Sequence, residues 1–164
     1  MGSFGLAKDL EIPVNVAQDF IDNYFLRYPK VNKFIASQIA LAKDTGFVTT
    51  ILGRRRHLPE INNKNSSLRS FAERQAVNSP IQGSAADLIK LAMINIHQAL
   101  FGMKLKAKLI MQIHDELVFE VPEAELEAVS GLVRDKMENV YKLDVPVKVN
   151  IKKGKNWQEM ELVK

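Results

Sequence analysis

The chain has 164 residues, 46% of them hydrophobic and 26% charged, which is the balance of an ordinary soluble globular protein of one domain. Its 23 basic and 19 acidic residues give a net charge of +4, and the absence of cysteine excludes disulfides, thiolate metal sites and cysteine nucleophiles. Because the sequence shows neither an apolar run of membrane-span length nor a signal-peptide pattern, we expect a cytoplasmic location and no membrane partner.

The charges are separated along the chain rather than spread evenly. Residues 53–74 carry a net charge of +4, whereas residues 115–144 carry a net charge of −6. The first range is suited to contact phosphates and the second would repel them. This separation favours a polyanionic partner over a charge pattern that serves only solubility.

Helical patterns dominate the first part of the chain. Apolar residues at near-helical spacing predict a helix over 14–28 and a second helix from Lys30 to about Lys43, joined as a helical hairpin. Residues 47–52 are rich in β-branched and aromatic types and predict a strand. The polar, basic stretch 53–67 predicts an irregular segment that ends at Ser67, the expected N-cap of the next helix.

The second part of the chain combines helices and strands. Pro80 is expected to separate two helices, one over 68–78 and one over 85–100. Strands are then predicted over 104–113, 117–121 and 145–151, with a helix over 123–141 before the last of them. We therefore predict an α+β fold in which a helical part precedes an antiparallel β-β-α-β sheet backed by helices.

An acidic turn is the most informative local feature. The two apolar strand-like runs of residues 109–121 are joined by His114, Asp115 and Glu116, with no glycine to relieve the turn. Adjacent carboxylates at such a position suit a hard divalent cation such as Mg²⁺. The alternative is a solvated turn whose polar side chains bond their own backbone. A zinc site is weaker, because the histidines (His57, His97 and His114) are widely spaced.

Two further polar segments are candidates for nucleic-acid contact. Arg74, Asn78 and Gln82 are four residues apart, and on a helical face they could reach the acceptors that every base pair presents in the minor groove. Arg54 and Arg55 belong to an arginine run in which at least one side chain should reach phosphate if nucleic acid binds. A solvated helix face and a surface charge run are the respective alternatives.

Several of these segments together resemble the C-terminal part of the bacterial DNA polymerase I family, family A. The matching stretches occur in the family's order and spacing: FGLA at 4–7, YP at 28–29, GRRRHLPEIN at 53–62, ERQAVNSPIQGSAADLIKLAM at 73–93 and QIHDELVFEVP at 112–122. The resemblance implies that residues 1–52 are a remnant of the fingers subdomain and that residues 53–164 are the C-terminal part of a palm subdomain.

The resemblance also implies roles for individual residues. Asp115 is similar to the aspartate that binds catalytic Mg²⁺, with Glu116 as a lesser contributor, and His114 would touch the primer terminus. Arg74, Asn78 and Gln82 would contact primer and template in the minor groove, whereas Arg54 and Arg55 would contact the template. This chain would supply half of a two-metal site, because the family's other metal-binding aspartate lies far upstream.

Three functional hypotheses follow. The chain is part of a DNA-directed DNA polymerase that uses primer-template DNA and deoxynucleoside triphosphates and works only when it is joined to an upstream polymerase fragment. Alternatively, it is a non-catalytic fragment that binds primer-template DNA. The third hypothesis is that the chain is the product of a broken gene, or of an incomplete gene model, and has no function of its own.

Overall fold

The computed structural model of this protein describes residues 2–163. Its elements in chain order are α1 (Ser3–Leu10), α2 (Val14–Arg27), α3 (Pro29–Thr45), β1 (Phe47–Thr49), β2 (Arg55–His57), α4 (Ser66–Gly102), β3 (Lys108–Ile113), β4 (Glu116–Glu120), α5 (Leu126–Glu138), β5 (Lys152–Lys153) and β6 (Glu161–Leu162). Short 3₁₀ turns precede α4 at Pro59–Asn62 and α5 at Glu123–Glu125. The prediction of a mixed fold, with helices leading and antiparallel strands following, is confirmed in this coarse form.

The chain divides into two compact units. The first comprises the residues up to Thr49 together with Gly53–Pro80, and the second comprises Thr50–Leu52 together with the residues from Ile81 onward. Among the helices between residues 2 and 163, none combines the length and the apolar character that crossing a bilayer requires.

The helical hairpin of the first unit is confirmed. α2 and α3 occupy the ranges predicted for them, and Gly46 ends α3 with a left-handed φ of 79° that glycine adopts without a Cβ clash. α1 has no counterpart among the predicted elements, and Ala7 is its buried residue.

A small β ribbon follows the hairpin. β1 ends at Thr49, so the strand predicted over 47–52 is too long, and β2 lies in the stretch predicted to be irregular. The two strands are antiparallel and pair Val48 with Arg56. Val48 is fully buried in the core of the first unit, whose members are Ala42, Val48, Leu58, Ile61, Ala72 and Ala76. β2 was missed because its residues are all exposed and basic, so it carries no apolar alternation.

The predicted break at Pro80 is wrong, because α4 runs without interruption from Ser66 to Gly102. A proline removes one helical hydrogen bond and costs about 3 kcal/mol in a helix interior. Ala76, before Pro80, is buried in the core of the first unit, and Ile96, after it, is buried in the core of the second unit. Burial of these parts of the helix outweighs that cost. The start also differs: Asn65, not Ser67, caps α4, since its side-chain oxygen accepts a 2.9 Å hydrogen bond from the Ser67 N–H.

The second unit packs the β3–β4 hairpin and α5 against the last part of α4. Its core contains Ile96, Leu100, Ala107, Val129 and Val133, with side chains of the hairpin such as Leu117 and Phe119 packed against it. The carboxylate of Glu125 accepts hydrogen bonds from the backbone N–H groups of Lys106 (2.9 and 3.0 Å) and Ala107 (3.0 Å), which fixes the chain just before β3.

The strand predicted over 145–151 does not form. Pro146 interrupts this stretch, and the Val149 N–H donates a 3.0 Å hydrogen bond to the Glu138 carboxylate instead of to a neighbouring strand. The last strands are β5 and β6, which pair with each other. The helix predicted over 123–141 is also shorter, since α5 ends at Glu138. The β-β-α-β sheet is therefore replaced by separate two-stranded sheets among the described residues.

Candidate nucleic-acid and metal site

The acidic turn is tighter than the sequence suggests. Ile113 pairs directly with Glu116, so His114 and Asp115 alone form the turn and Glu116 is the first residue of β4. The His114, Asp115 and Glu116 side chains are all exposed. The two carboxylates are therefore adjacent in sequence, at the tip of the hairpin, and accessible to a cation from solvent.

His114 adopts a backbone conformation that is uncommon for residues other than glycine. Its φ is 51°, in the left-handed region that a two-residue hairpin turn demands and that glycine or asparagine usually fills. The Gln112 side chain compensates in part, because Nε2 donates a 2.6 Å hydrogen bond to the His114 carbonyl oxygen. Such strain concentrates at functional sites, which agrees with the expectation drawn from the missing glycine.

The arginine run lies at the start of β2 in the first unit. Arg54, Arg55, Arg56 and His57 are exposed. The guanidinium carbon (Cζ) of Arg55 lies 4.7 Å from the centroid of the Phe47 ring, and the His57 ring centroid lies 5.7 Å from the same ring. The ribbon thus presents a basic surface built around one aromatic side chain, and Phe47 is a member that sequence reasoning missed.

The candidate minor-groove residues all lie on α4. Arg74 and Asn78 are exposed in the first unit, one helical turn apart, which agrees with the predicted common face. The Arg74 guanidinium carbon lies 5.7 Å from the centroid of the exposed Phe71 ring. Gln82 is also exposed and belongs to the second unit, together with the acidic turn.

The metal-binding potential of the chain rests on the acidic turn. Within residues 2–163 no three or more His, Asp or Glu side chains are grouped closely enough to hold a metal ion. Asp115 and Glu116 are nevertheless donors of the type that Mg²⁺ prefers, and protein sites commonly bind Mg²⁺ through one or two carboxylates with water and phosphate in the other positions. The donor set fits Mg²⁺ only when oxygen ligands from outside this chain complete it.

A family model and several known proteins are similar to this chain in sequence. A family model for DNA polymerase family A matches residues 1–159. DNA polymerase I of Caldicellulosiruptor bescii is 46% identical over 159 residues, and DNA polymerase I of Lactococcus lactis subsp. cremoris is equally similar over the same length. These alignments cover 97% of this chain but only 19% and 18% of the two relatives.

A solved structure is similar over most of the chain. It is the POL domain of Pol1 from M. smegmatis in complex with DNA primer-template and dNTP, which matches with a TM-score of 0.86 and 44% sequence identity. The match covers 90% of this chain and 26% of that structure. Because the family model spans nearly the whole sequence and the fold agrees, this chain belongs to DNA polymerase family A.

Proposed function

We propose that this chain takes part in template-directed DNA synthesis as the C-terminal part of a family A DNA polymerase, acting together with the upstream part of such an enzyme. The observation that carries the proposal is the TM-score of 0.86, over 90% of this chain, to a polymerase domain whose structure holds primer-template and dNTP. The reaction is a nucleotidyl transfer, in which the primer 3′-hydroxyl attacks the α-phosphorus of a deoxynucleoside triphosphate and pyrophosphate leaves.

In this proposal, residues 1–52 are the end of the fingers subdomain and residues 53–164 are the C-terminal part of the palm. Asp115 and Glu116 hold Mg²⁺ at the tip of the β3–β4 hairpin. The ion, when bound, supplies positive charge that stabilises the transferring phosphate and activates the attacking hydroxyl. His114, at the same tip, contacts the primer terminus.

The proposed DNA contacts use two kinds of chemistry. Arg74, Asn78 and Gln82 have exposed side chains that can donate hydrogen bonds to the minor-groove acceptors shared by all base pairs, which suits an enzyme that copies any sequence. Arg54 and Arg55 contact the phosphate backbone of the template. The separation of positive charge in residues 53–74 from negative charge in residues 115–144 supports this division of DNA and metal contacts.

The upstream part of the polymerase is a proposed partner of this chain, and the unpaired backbone edge of β3 supports this proposal. Within the part of the chain that the structure describes, β3 pairs only with β4 and leaves its outer backbone edge unpaired. An open strand edge readily accepts another strand. Ile110 on β3 is 57% exposed, so its apolar side chain is available to pack against another polypeptide. The chain spans 17–19% of the curated relatives that it matches, so a large remainder of such an enzyme could provide that cover.

A second candidate is a fragment that binds primer-template DNA without catalysing synthesis. The observation that favours it is that, among the described residues, no three His, Asp or Glu side chains are grouped closely enough to hold a metal ion, which leaves the two carboxylates of the turn as its ligands. The two candidate functions differ in whether adding the upstream part of the polymerase produces nucleotidyl transfer.

Primer extension distinguishes the candidates. The chain is mixed with DNA polymerase I of Caldicellulosiruptor bescii that lacks its matching C-terminal segment, in the presence of Mg²⁺, dNTPs and a primer-template. We expect extension only when both parts are present, and loss of extension with Asp115→Asn but not with Glu120→Gln, which changes a carboxylate outside the turn. DNA binding without extension at any ratio would support the second candidate. Absence of both binding and extension would overturn both.

A further inference from the structure

The three arginines of the β2 segment are not equivalent, because the ribbon has two distinct faces. Directly paired residues of an antiparallel ribbon lie on the same face. The register therefore puts Phe47 and His57 on one face and Val48 and Arg56 on the other. Val48 is fully buried in the core of the first unit, so the Val48 face is turned inward. Arg55 is one residue from Arg56 and projects to the outer face with Phe47.

Phe47 lies on that outer face and contacts both Arg55 and His57. The Arg55 Cζ is 4.7 Å from its ring centroid, within the ~6 Å range in which a guanidinium is attracted to an aromatic face. The His57 ring also contacts the Phe47 ring, and the planes of the two rings are inclined at 57° to each other. Phe47 is itself half-buried, so the ring is anchored while the cationic groups beside it stay exposed.

This contact leaves the donors of Arg55 available. A guanidinium attracted to an aromatic face uses its delocalised charge in that contact, and its N–H groups can still donate hydrogen bonds to the oxygens of a phosphate. Arg54 already has an interaction partner within the chain. Arg56 projects to the opposite face of the ribbon from Phe47.

Building on the proposed function, we infer that Phe47 is a positioning residue that holds the Arg55 guanidinium ready for a DNA backbone phosphate, so that Arg55 makes the dominant phosphate contact of the arginine run. A free arginine side chain must lose its rotamer freedom when it binds phosphate. Contact with the ring removes part of that freedom before DNA arrives, so the affinity gained per contact is larger.

The experiment measures the affinity of the chain for a fluorescent primer-template duplex over a range of salt concentrations. The variants are Phe47→Leu, Phe47→Tyr, Arg55→Ala and the double variant Phe47→Leu with Arg55→Ala, with Arg56→Ala as the matched arginine control. Arg55→Ala is expected to lower the slope of log affinity against log salt concentration by about one, because one phosphate contact is lost. Phe47→Leu is expected to lower affinity about two- to fivefold with the slope unchanged, because the charge remains.

Three further results are expected if Phe47 acts through Arg55. Phe47→Tyr keeps affinity near that of the unmodified chain, because tyrosine retains the aromatic face. The double variant binds no more weakly than Arg55→Ala alone. Arg56→Ala reduces affinity less than Arg55→Ala does. An effect of Phe47→Leu that persists in the Arg55→Ala background would overturn the positioning role, as would Arg56→Ala having the larger effect.

Failure of the two proposals can be told apart. If the unmodified chain neither binds the duplex nor supports extension with the upstream part, the proposed function fails and this inference fails with it. If the unmodified chain supports extension but does not bind the duplex by itself, only the inference fails. If the unmodified chain binds but Phe47→Leu has no effect, only the inference fails. Should Phe47→Leu unfold, as judged by circular dichroism, Arg55→Lys provides the same test. Lysine keeps the charge but cannot stack as a plane, so unchanged affinity in Arg55→Lys would overturn the inference.

Discussion

The side chain of Gln112 donates a 2.6 Å hydrogen bond to the backbone carbonyl oxygen of His114, and this bond ties the end of β3 to the first residue of the turn that carries Asp115. The His114 backbone is left-handed, with a φ of 51°. A strained residue and a side chain that holds it in place thus lie immediately before the first carboxylate of the proposed metal site.

Removing this hydrogen bond should destabilise the hairpin. We expect Gln112→Ala to lower the free energy of unfolding by about 1 kcal/mol, the usual net value of an intramolecular hydrogen bond. His114→Gly should cause no loss, because glycine adopts a positive φ without a Cβ clash. Urea unfolding measures both. Unchanged stability in Gln112→Ala, or a clear loss in His114→Gly, would contradict this account of the turn.

Divalent metal binding should depend on the two carboxylates of the turn. Asp115→Asn is expected to weaken Mn²⁺ binding by at least about tenfold, since a direct ligand should contribute no less than the outer hydrogen-bond partners whose loss costs ~10–100-fold. Glu116→Gln should have a smaller effect. Paramagnetic broadening of backbone NMR signals reports binding in the presence of primer-template DNA. Glu120→Gln, which changes an exposed carboxylate at the other end of β4, is the control and should bind like the unmodified chain.

Binding to duplex DNA should depend on Arg74 without dependence on sequence. Because minor-groove acceptors are shared by all base pairs, Arg74→Ala should weaken binding by roughly tenfold, and by a similar factor for duplexes of different sequence. Fluorescence anisotropy with AT-rich and GC-rich primer-templates measures both affinities. Arg27→Ala, which removes an exposed arginine on α2, is the control. A loss confined to one sequence class would argue against a shared minor-groove contact.

The carboxylate of Asp135 should make the stability of the fold depend on pH in the acidic range. The Asn139 amide bonds to the Asp135 carboxylate at 2.9 Å, and this bond, with a lesser effect from Lys136, lowers the pKa of Asp135. Because the pKa is lowered in the folded state, the stabilisation is present at neutral pH and is lost as the pH falls through the lowered pKa. Asn139→Ala should move the pKa of Asp135 back towards its ordinary value, as followed by NMR titration. An unchanged titration midpoint would contradict the assignment.

The core of the second unit should be sensitive to the volume of Ile96. This side chain is fully buried in the cluster against which Leu117 and Phe119 of the hairpin pack. Ile96→Val should cost about 0.5–1.5 kcal/mol and Ile96→Ala about 2–5 kcal/mol, because truncation removes buried contacts and leaves a cavity. Thermal or urea unfolding measures the difference. Equal costs for the two variants would mean that the site collapses around the smaller side chain.

Elements with a strong local pattern could be predicted from the sequence. α2 and α3 have apolar residues at helical spacing and clear stops at Pro29 and Gly46, so local preference and packing agree. The β3–β4 hairpin was recognised because two apolar runs enclose a very short polar segment. Membership of the family could also be predicted, since it rests on residue types at specific spacings along nearly the whole chain.

Elements that depend on distant partners could not be predicted. β2 consists of exposed basic residues that become a strand only through pairing with β1. α4 passes through Pro80 because buried side chains before and after it supply the missing stability. Val149 lies outside any strand because its N–H bonds to the Glu138 carboxylate, eleven residues earlier in the chain.

The features of the candidate site also fall into two groups, those that the sequence predicts and those that only the folded structure shows. Residue type and spacing were enough to choose Arg74, Asn78, Asp115 and Glu116, because charge and hydrogen-bonding capacity belong to the side chain itself. The contact of Arg55 with Phe47 and the left-handed backbone of His114 required the folded chain. The first depends on the register that pairs β1 with β2, and the second on the tight turn that the pairing of β3 with β4 imposes. Both are decided by which strands pair and in which register, because residue types alone do not fix that pairing.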